Sequence, residues 1–403
     1  MRPSVVFDCG SSYSKFGFAN GNRNPVPLYS VPTALCKHHT LATKGMDDMG
    51  YAIGTEAVTL SKRTEAPIIN PIREGRIEDW DAMERFWAAA AYQYLRCDPS
   101  QHPFVITEPA LNTPEAREQM AEILFETLNV PVLMIVNQPA MALYSAAHTT
   151  TTDAGSQSRP LTGCVVDLGH SAVNIIPVSD GHVLDASVRQ YPLGGRDVEQ
   201  FIHRQLRYRE NIPSECQIQT ARQVKHECCK VAKKGLRSVL THFTAEPAKY
   251  TKALSGKHPR TGAPFNYSVG LEQWAAPEIF FTPSLVSPSL EQGLCEVLDG
   301  VIQSSPIHVR RSLYDNIVVC GGSSAFHNMA ERLETGVKAI VDERLKGMGG
   351  SGVGVNVVKP KRREDAVWSG AAYLSQTLEL VSGKGITREM YEDQGPSCAR
   401  VPM

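Results

Sequence analysis

The 403-residue sequence contains no apolar run of the roughly 18 residues that a membrane-crossing helix needs. Its opening, Met1-Arg2-Pro3-Ser4-Val5-Val6, lacks the apolar core and cleavage region of a signal peptide. The ten cysteines are scattered, with no pair of C-x-x-C units, and the adjacent Cys228-Cys229 suits neither a simple zinc site nor an easy disulfide. The twelve histidines are dispersed too; His38-His39 is the one adjacent pair and has no matching ligands, so histidine implies no metal site. A formal net charge of −1 excludes a global positive field of the kind that gathers nucleic acid. With 42% hydrophobic and 21% charged residues, disorder over most of the length is excluded as well. What remains is an expected soluble, cytoplasmic protein with free thiols, long enough for two to three average domains.

Against these absences stands a phrase that occurs twice. Residues 5–12 read Val-Val-Phe-Asp-Cys-Gly-Ser-Ser, and residues 165–171 read Val-Val-Asp-Leu-Gly-His-Ser. Each is an apolar run ending in Asp-x-Gly-x-Ser, the pattern of a strand running into a glycine turn. Used twice, such turns suit a two-lobed protein that holds a polyphosphate from both sides.

The intervening chain alternates strand and helix signals, which indicates an α/β fold. Residues 4–19 predict a hairpin or meander, and 33–72 a small subdomain inserted between strands and helices. A helix is predicted from near Asp79, with Trp80, Met83, Phe86, Trp87, Ala90 and Tyr94 at helical spacing. Residues 104–108 and 131–136 read as buried strands. Thr113 caps a helix with Pro114 at its first position, and Met120, Ile123, Leu124 and Leu128 give it an apolar face. Residues 138–147 continue as helix, and 148–162 form a polar loop and candidate lobe boundary. Further helices are expected near 195–209, 218–233 and 289–303, the last with Val297, Leu298 and Val301 as its buried stripe. Residues 317–320 form a strand ending at Gly321-Gly322, before a helix through Met329, Leu333 and Val337. Gly347–Gly354 reads as a loop, 366–374 as a helix, and the last dozen residues as an extended tail.

Gly10 and Gly169 allow backbone that side chains would block, and successive N–H groups in such turns bind phosphate oxygens. Ser11, Ser12 and Ser171 add hydroxyls, and Lys15 can reach back as a compact positive charge. Asp8 and Asp167 suit a magnesium ion that keeps its waters while holding phosphate. Gly321-Gly322 would let a flat base or a phosphate lie on the backbone; a plain helix-entry turn is the other reading. Gln138 could orient a water towards a terminal phosphate, or be only a polar residue at a helix start. The basic clusters Lys230/Lys233/Lys234/Arg237 and Lys359/Lys361/Arg362/Arg363 read as solvated faces or partner-contact patches rather than nucleic-acid sites.

Several phrases carry a resemblance over nearly the whole chain. They are Asp8-Cys-Gly-Ser-Ser-Tyr-Ser-Lys15, Thr107-Glu-Pro-Ala-Leu-Asn-Thr-Pro-Glu115, Ile123-Leu-Phe-Glu-Thr-Leu-Asn-Val-Pro131 and Leu193-Gly-Gly-Arg-Asp197. With these, the chain resembles the actin fold family, most weakly at 33–66 and 235–265. The phrases at 78–86, 277–281, 306–314 and 391–398 are similar to the actin-related subunits of a filament-branching complex. The resemblance implies two lobes, each on a mixed five-stranded sheet, with ATP or ADP and Mg2+ between them. The expected division is a first lobe core of 1–32, 67–147 and 365–403 with an inserted subdomain 33–66. The second lobe core is 148–192 and 288–364, with the insertion 193–287. By resemblance Lys225, Gly321, Gly322, Ser323 and His170 join the nucleotide-binding set, and Gln138 is the water-positioning residue. Implied partners are a second actin-related subunit, non-actin subunits, the actin filament and a nucleation-promoting activator, with no membrane insertion.

Departures fall at the nucleotide. His170 and Ser171 replace an acid and a glycine of the family's second turn. Asn174 stands for a histidine that helps place the attacking water, His226 for a ribose-contacting glutamate, and Asp365 for an aromatic residue. The implied role is a nucleotide-binding structural subunit, at most a slow ATPase. Rival readings are an actin-like protein of another assembly, and a small-molecule kinase on the same fold with Asp185 or Asp197 as base. A chaperone ATPase would be expected to carry a further substrate-binding domain.

Overall fold

The computed structural model describes residues 2–21, 24–37, 50–151, 161–258, 261–346, 352–376 and 385–400, without the side chains of 149–151. The chain divides into two compact units, one of residues 1–161, 178–185 and 360–403, the other of 162–177 and 186–359.

The first unit is built on a mixed six-stranded sheet ordered Ile386–Thr387, Val132–Asn137, Phe104–Glu108, Val5–Cys9, Tyr13–Phe18 and Tyr29–Pro32. Val5–Cys9 and Val132–Asn137 both run parallel to Phe104–Glu108. These central strands are near-continuous apolar runs because both faces are covered. Phe7 stacks on Phe16 at 5.4 Å and on Phe104 at 5.8 Å, at the heart of the core. The sixth strand comes from Ile386–Thr387, a two-residue segment too short to register as a strand in the sequence.

Two helices of the first unit start where the sequence predicts them. Asp79 accepts from the Ala82 N–H at 2.9 Å and starts the helix Trp80–Ala89, whose Met83, Phe86 and Trp87 are buried. Thr113 accepts from the Ala116 N–H at 3.2 Å and caps Pro114–Glu122, with Met120, Leu124 and Leu128 buried. Side chains that cap in this way satisfy N–H groups that the helix itself leaves open. Helix Ala366–Gln376 packs on helix Gln138–Thr151, and Trp368 donates to the Val6 carbonyl at 3.1 Å. A Cβ on Gly370 would overlap the Met141 carbonyl, so only glycine permits this approach. The helix Gln138–Thr151 carries four residues, 148–151, into the expected 148–162 loop, of which 152–160 lie outside the described residues.

Two further features depart from expectation. The inserted segment holds a helix, Gly54–Thr64, beside the strands Leu35–Lys37, Tyr51–Ile53 and Ile68–Ile69. Its buried residues are only Gly54 and Ala57, which leave no apolar stripe to read. Of the last dozen residues, those described are not an extended tail: Arg388–Gln394 is helical and Gly395–Ala399 a 3-10 turn. Thr387 caps that helix, and Tyr391 stacks on Phe125 at 4.7 Å while donating to Glu126 at 2.8 Å. Pro396 sits at the start of the turn, where a missing N–H leaves nothing unpaired.

In the second unit Gly163–Leu168 lies between Val173–Ser179 and Ile317–Cys320. Ile317–Cys320 runs parallel to both Gly163–Leu168 and Val357–Val358, and Arg189–Tyr191 pairs antiparallel with Val173–Ser179. Helices span Gly195–Arg207, Gln217–Glu227, Leu294–Ser304 and Met329–Lys346. In Leu294–Ser304 the buried stripe is Leu294, Leu298, Val301 and Ile302, with Val297 only half-buried. The helix expected over 218–233 stops at Glu227, because Lys230 and Val231 turn away to bond the carbonyls of Gln273 and His327, both at 2.9 Å. A helix Leu236–Ala245 with no buried residue and a hairpin Lys252–Lys257/Pro264–Val269 follow. Gly347–Gly350 of the expected glycine loop, and His38-His39, lie outside the described residues.

Candidate functional site

The two phrases fold into the same turn. The Gly10 N–H donates to the Tyr13 carbonyl and the Gly169 N–H to the Ala172 carbonyl, each at 3.1 Å. Each turn closes a sharp reversal between strands, Val5–Cys9 into Tyr13–Phe18 and Gly163–Leu168 into Val173–Ser179.

In the first unit the strand register places Lys15 opposite Asp8. Lys15 Nζ stands 3.8 Å from Asp8 Oδ2 and also donates to the Glu364 carbonyl. Asp8 is buried, and its Oδ1 accepts from Thr107 Oγ1 at 2.8 Å and, at a long 3.4 Å, from Gln138 Nε2. Gln138 is the first residue of its helix, and its side-chain nitrogen is turned towards Asp8. The turn is braced from behind. Thr33 Oγ1 donates to the Gly10 carbonyl at 2.6 Å, so Ser14, 2.8 Å from that oxygen, is the donor in their contact. Thr33 N–H also donates to the Ser12 carbonyl at 3.0 Å. Ser11 Oγ accepts from the Gly75 N–H at 3.0 Å, in the hairpin Ile72–Arg73/Arg76–Ile77. Asp365 is buried against Arg362 at 3.0 Å, and its neighbour Glu364 supplies the carbonyl that holds Lys15.

In the second unit the turn is joined to the start of helix Gly195–Arg207. The Gly195 N–H donates to the Gly169 carbonyl at 3.0 Å and the Arg196 N–H to the His170 carbonyl at 2.8 Å. Asp197 accepts from the Gly194 N–H at 2.8 Å, so this acid is engaged as a helix cap. A Cβ on Gly195 would lie 2.6 Å from Lys225 Nζ and 2.9 Å from Ser323 Oγ; the bare backbone admits both side chains. Gly321, after the strand Ile317–Cys320, takes the left-handed φ of +85° and turns the chain back beside Asp167. Gly169, His170, Lys225, Gly321 and Ser323 thus gather around Gly195 and Asp167 within one unit.

The centre of this gathering is a residue that the sequence did not single out. Glu199 is buried, with Oε1 3.0 Å from Lys225 Nζ and 3.9 Å from His170 Nδ1, and Oε2 3.0 Å from Arg222 Nε. Burial pushes its carboxyl up, and Lys225 and Arg222 more than offset this, leaving it below the usual range. The usable signal was a lone acid two residues past the Asp197 cap, on the helix face that also carries Val198 and Ile202. His170 is held down to about 4, chiefly by burial, so it is neutral near pH 7. His226 is exposed whereas Lys225 beside it is buried, and Asn174 pairs with Gln190 in the strand register. Cys9, inside the first phrase, is pushed up to about 12 by burial. Among the described residues no cluster of three or more His, Cys, Asp or Glu could hold a metal by itself.

Comparison with known proteins sets this arrangement in a family. A profile of the actin family, described as "Actin", matches residues 2–253 and, overlapping it, 214–401. The chain is 40% identical to actin-related protein 3 of Oryza sativa subsp. indica, covering 99% of this chain and 97% of that protein. It is 40% identical to the protein of that name from Schizosaccharomyces pombe, over 98% and 96%. The figure for Drosophila melanogaster is 39%, over 99% and 97%.

Proposed function

The chain belongs to the actin family, and we propose that it serves as a nucleotide-binding structural subunit of a filament-nucleating and branching complex. The observation that carries the nucleotide reading is the pair of identical turns, each with its glycine N–H 3.1 Å from the carbonyl three residues on. Each has a lysine close by, Lys15 beside Asp8 and Lys225 against Gly195. N–H-rich turns with nearby ammonium groups fit a phosphate-bearing ligand.

On this reading Gly10, Ser11, Ser12 and Lys15 of the first unit contact the phosphates, as do Gly169, His170 and Ser171 of the second. Lys225, Gly321, Gly322 and Ser323 contact the rest of the adenine nucleotide. Asp8 and Asp167 are the residues that would hold Mg2+ with its waters, and the ion would neutralise phosphate charge. Gln138, its nitrogen spent on Asp8 and Thr107, has its amide oxygen to accept from a water. With His170, Ser171 and Asn174 in place of the family's residues, hydrolysis is slow, and the nucleotide serves shape and assembly more than turnover.

The relatives' shared name, actin-related protein 3, supports membership of an actin-related assembly at the cytoskeleton. The partners are a second actin-related subunit, non-actin subunits, the side of an actin filament and an activator. Affinity purification of the native protein, with mass spectrometry of what accompanies it, tests this. Stoichiometric recovery of a second actin-family chain with non-actin subunits is expected. A monomer, or a partner set lacking a second actin-related chain, would overturn the reading. Binding of a fluorescent ATP analogue, weakened by Lys15→Ala and by Lys225→Ala, tests the nucleotide half separately.

A further inference from the structure

Within the second unit, residues 228–271 carry an excess of positive charge that the whole chain does not share. The described residues there include seven lysines and arginines against a single acid, Glu246. The formal net charge of the entire chain is −1, so this segment is a basic island in an otherwise acidic protein. Lys233, Lys234, Arg237, Lys249, Lys252 and Lys257 are all exposed. Lys249 meets Glu246 at 3.1 Å, a pair more than 60% exposed on both sides and therefore screened. Lys230, the remaining cation, lies over the Trp274 ring at 4.5 Å. The island is one substructure. Helix Leu236–Ala245 packs on helix Glu272–Glu278, Gln273 donates to the Tyr250 carbonyl at 2.9 Å, and Tyr250 packs on Trp274.

Two properties narrow the partner. Six of the seven cations are lysines. Protein interfaces are depleted in lysine and enriched in arginine, whose fork pairs with carboxylates in fixed geometry. Lysine, a mobile point charge, suits a diffuse layer of phosphates. Helix Leu236–Ala245 has no buried residue, with Lys233 and Lys234 just before it and Arg237 in its first turn. It also presents Leu240, 45% exposed. A short basic helix offering an apolar side chain matches the interfacial helices that lie on anionic bilayers. Among the described residues of this segment no exposed aromatic row stands ready to stack on unpaired bases. Phe265 is half-buried, and Tyr267 is buried and donates to Gln223.

We propose that this basic surface docks peripherally on the anionic headgroups of a lipid bilayer. Vesicle flotation of the purified full-length chain tests it. Phosphatidylcholine vesicles with and without phosphatidylserine are compared at low and physiological salt, and native material from the affinity purification is floated in parallel. Binding is expected only with the anionic lipid, weakening as salt rises. The triple variant Lys233→Gln/Lys234→Gln/Arg237→Gln should lose about a hundredfold in partitioning, each cation being worth about fivefold. Its melting temperature should match the parent, since the three side chains are exposed. Equal binding to neutral and anionic vesicles, or a triple variant that floats like the parent, would overturn the proposal. So would flotation seen with the isolated chain but not with the native material, or tighter binding of an oligonucleotide than of vesicles at equal phosphate concentration.

Discussion

Glu199 offers the sharpest test of how the second turn is held. Its carboxylate and the Lys225 ammonium are both buried and 3.0 Å apart. Arg222 also touches Glu199, but its side chain is 58% exposed and its share is screened by solvent. His170 contributes no positive charge near pH 7, because burial holds it neutral. Replacing Glu199 by leucine therefore leaves one buried ammonium without its anion, against Gly195 and Ser323. Removing one partner of a buried pair costs about 3–5 kcal/mol, whereas replacing both by apolar groups of similar volume is close to neutral. At about 2–4 °C per kcal/mol for a unit of this size, Glu199→Leu should lower the melting temperature by roughly 6–20 °C. Glu199→Leu/Lys225→Met should recover most of that loss. Calorimetry of the nucleotide-free protein, completed as a double-mutant cycle, reads both quantities. A single variant within about 2 °C of the parent, or a double variant as unstable as the single, would show that Glu199 is not the counter-charge that keeps Lys225 in place.

Three further outcomes are expected. The imidazole of His170 is held at about 4 in the folded state against 6.5 when unperturbed, chiefly by burial. The unfolded chain thus takes up a proton that the folded one refuses, so stability is full above 6.5 and falls as pH drops towards 4. The loss is up to about 3 kcal/mol, and the difference in denaturation midpoint between parent and His170→Asn across that window isolates it; parallel profiles would refute it. Gly370→Ala should destabilise the first unit by at least about 1–3 kcal/mol, read by urea unfolding, because the new methyl meets the Met141 carbonyl between two packed helices. Cys9 and Cys295, both pushed up to about 12 mainly by burial, should resist iodoacetamide at pH 8 in the folded protein and react on unfolding, as peptide mapping would report.

Much of this protein was legible one residue at a time. The doubled Asp-x-Gly-x-Ser phrase gave two turns of the same geometry, and Thr113-Pro114 and Asp79 gave helix starts where side chains cap N–H groups. These are local events, fixed by residues within a few positions of one another, and their signal survives in linear order. The buried strands read at 104–108 and 131–136, the second found at Val132–Asn137, were equally plain, since apolar runs have few other places to go. Only the folded chain decided the rest. Glu199 and Lys225 are 26 positions apart on different helices, and neither helix alone says that the two side chains meet. Thr33 reaches Gly10 across 23 positions to brace a turn whose own sequence gives no hint of the support. Residues 388–394 fold as helix instead of tail because Phe125 stacks on Tyr391 and Glu126 accepts from it across 265 positions. Turns, caps and buried strands are chosen by short-range sterics and hydrogen bonding. Counter-charges, braces and the fate of a terminus are chosen by whichever distant surface must exclude water, and that choice is made only in the assembled fold.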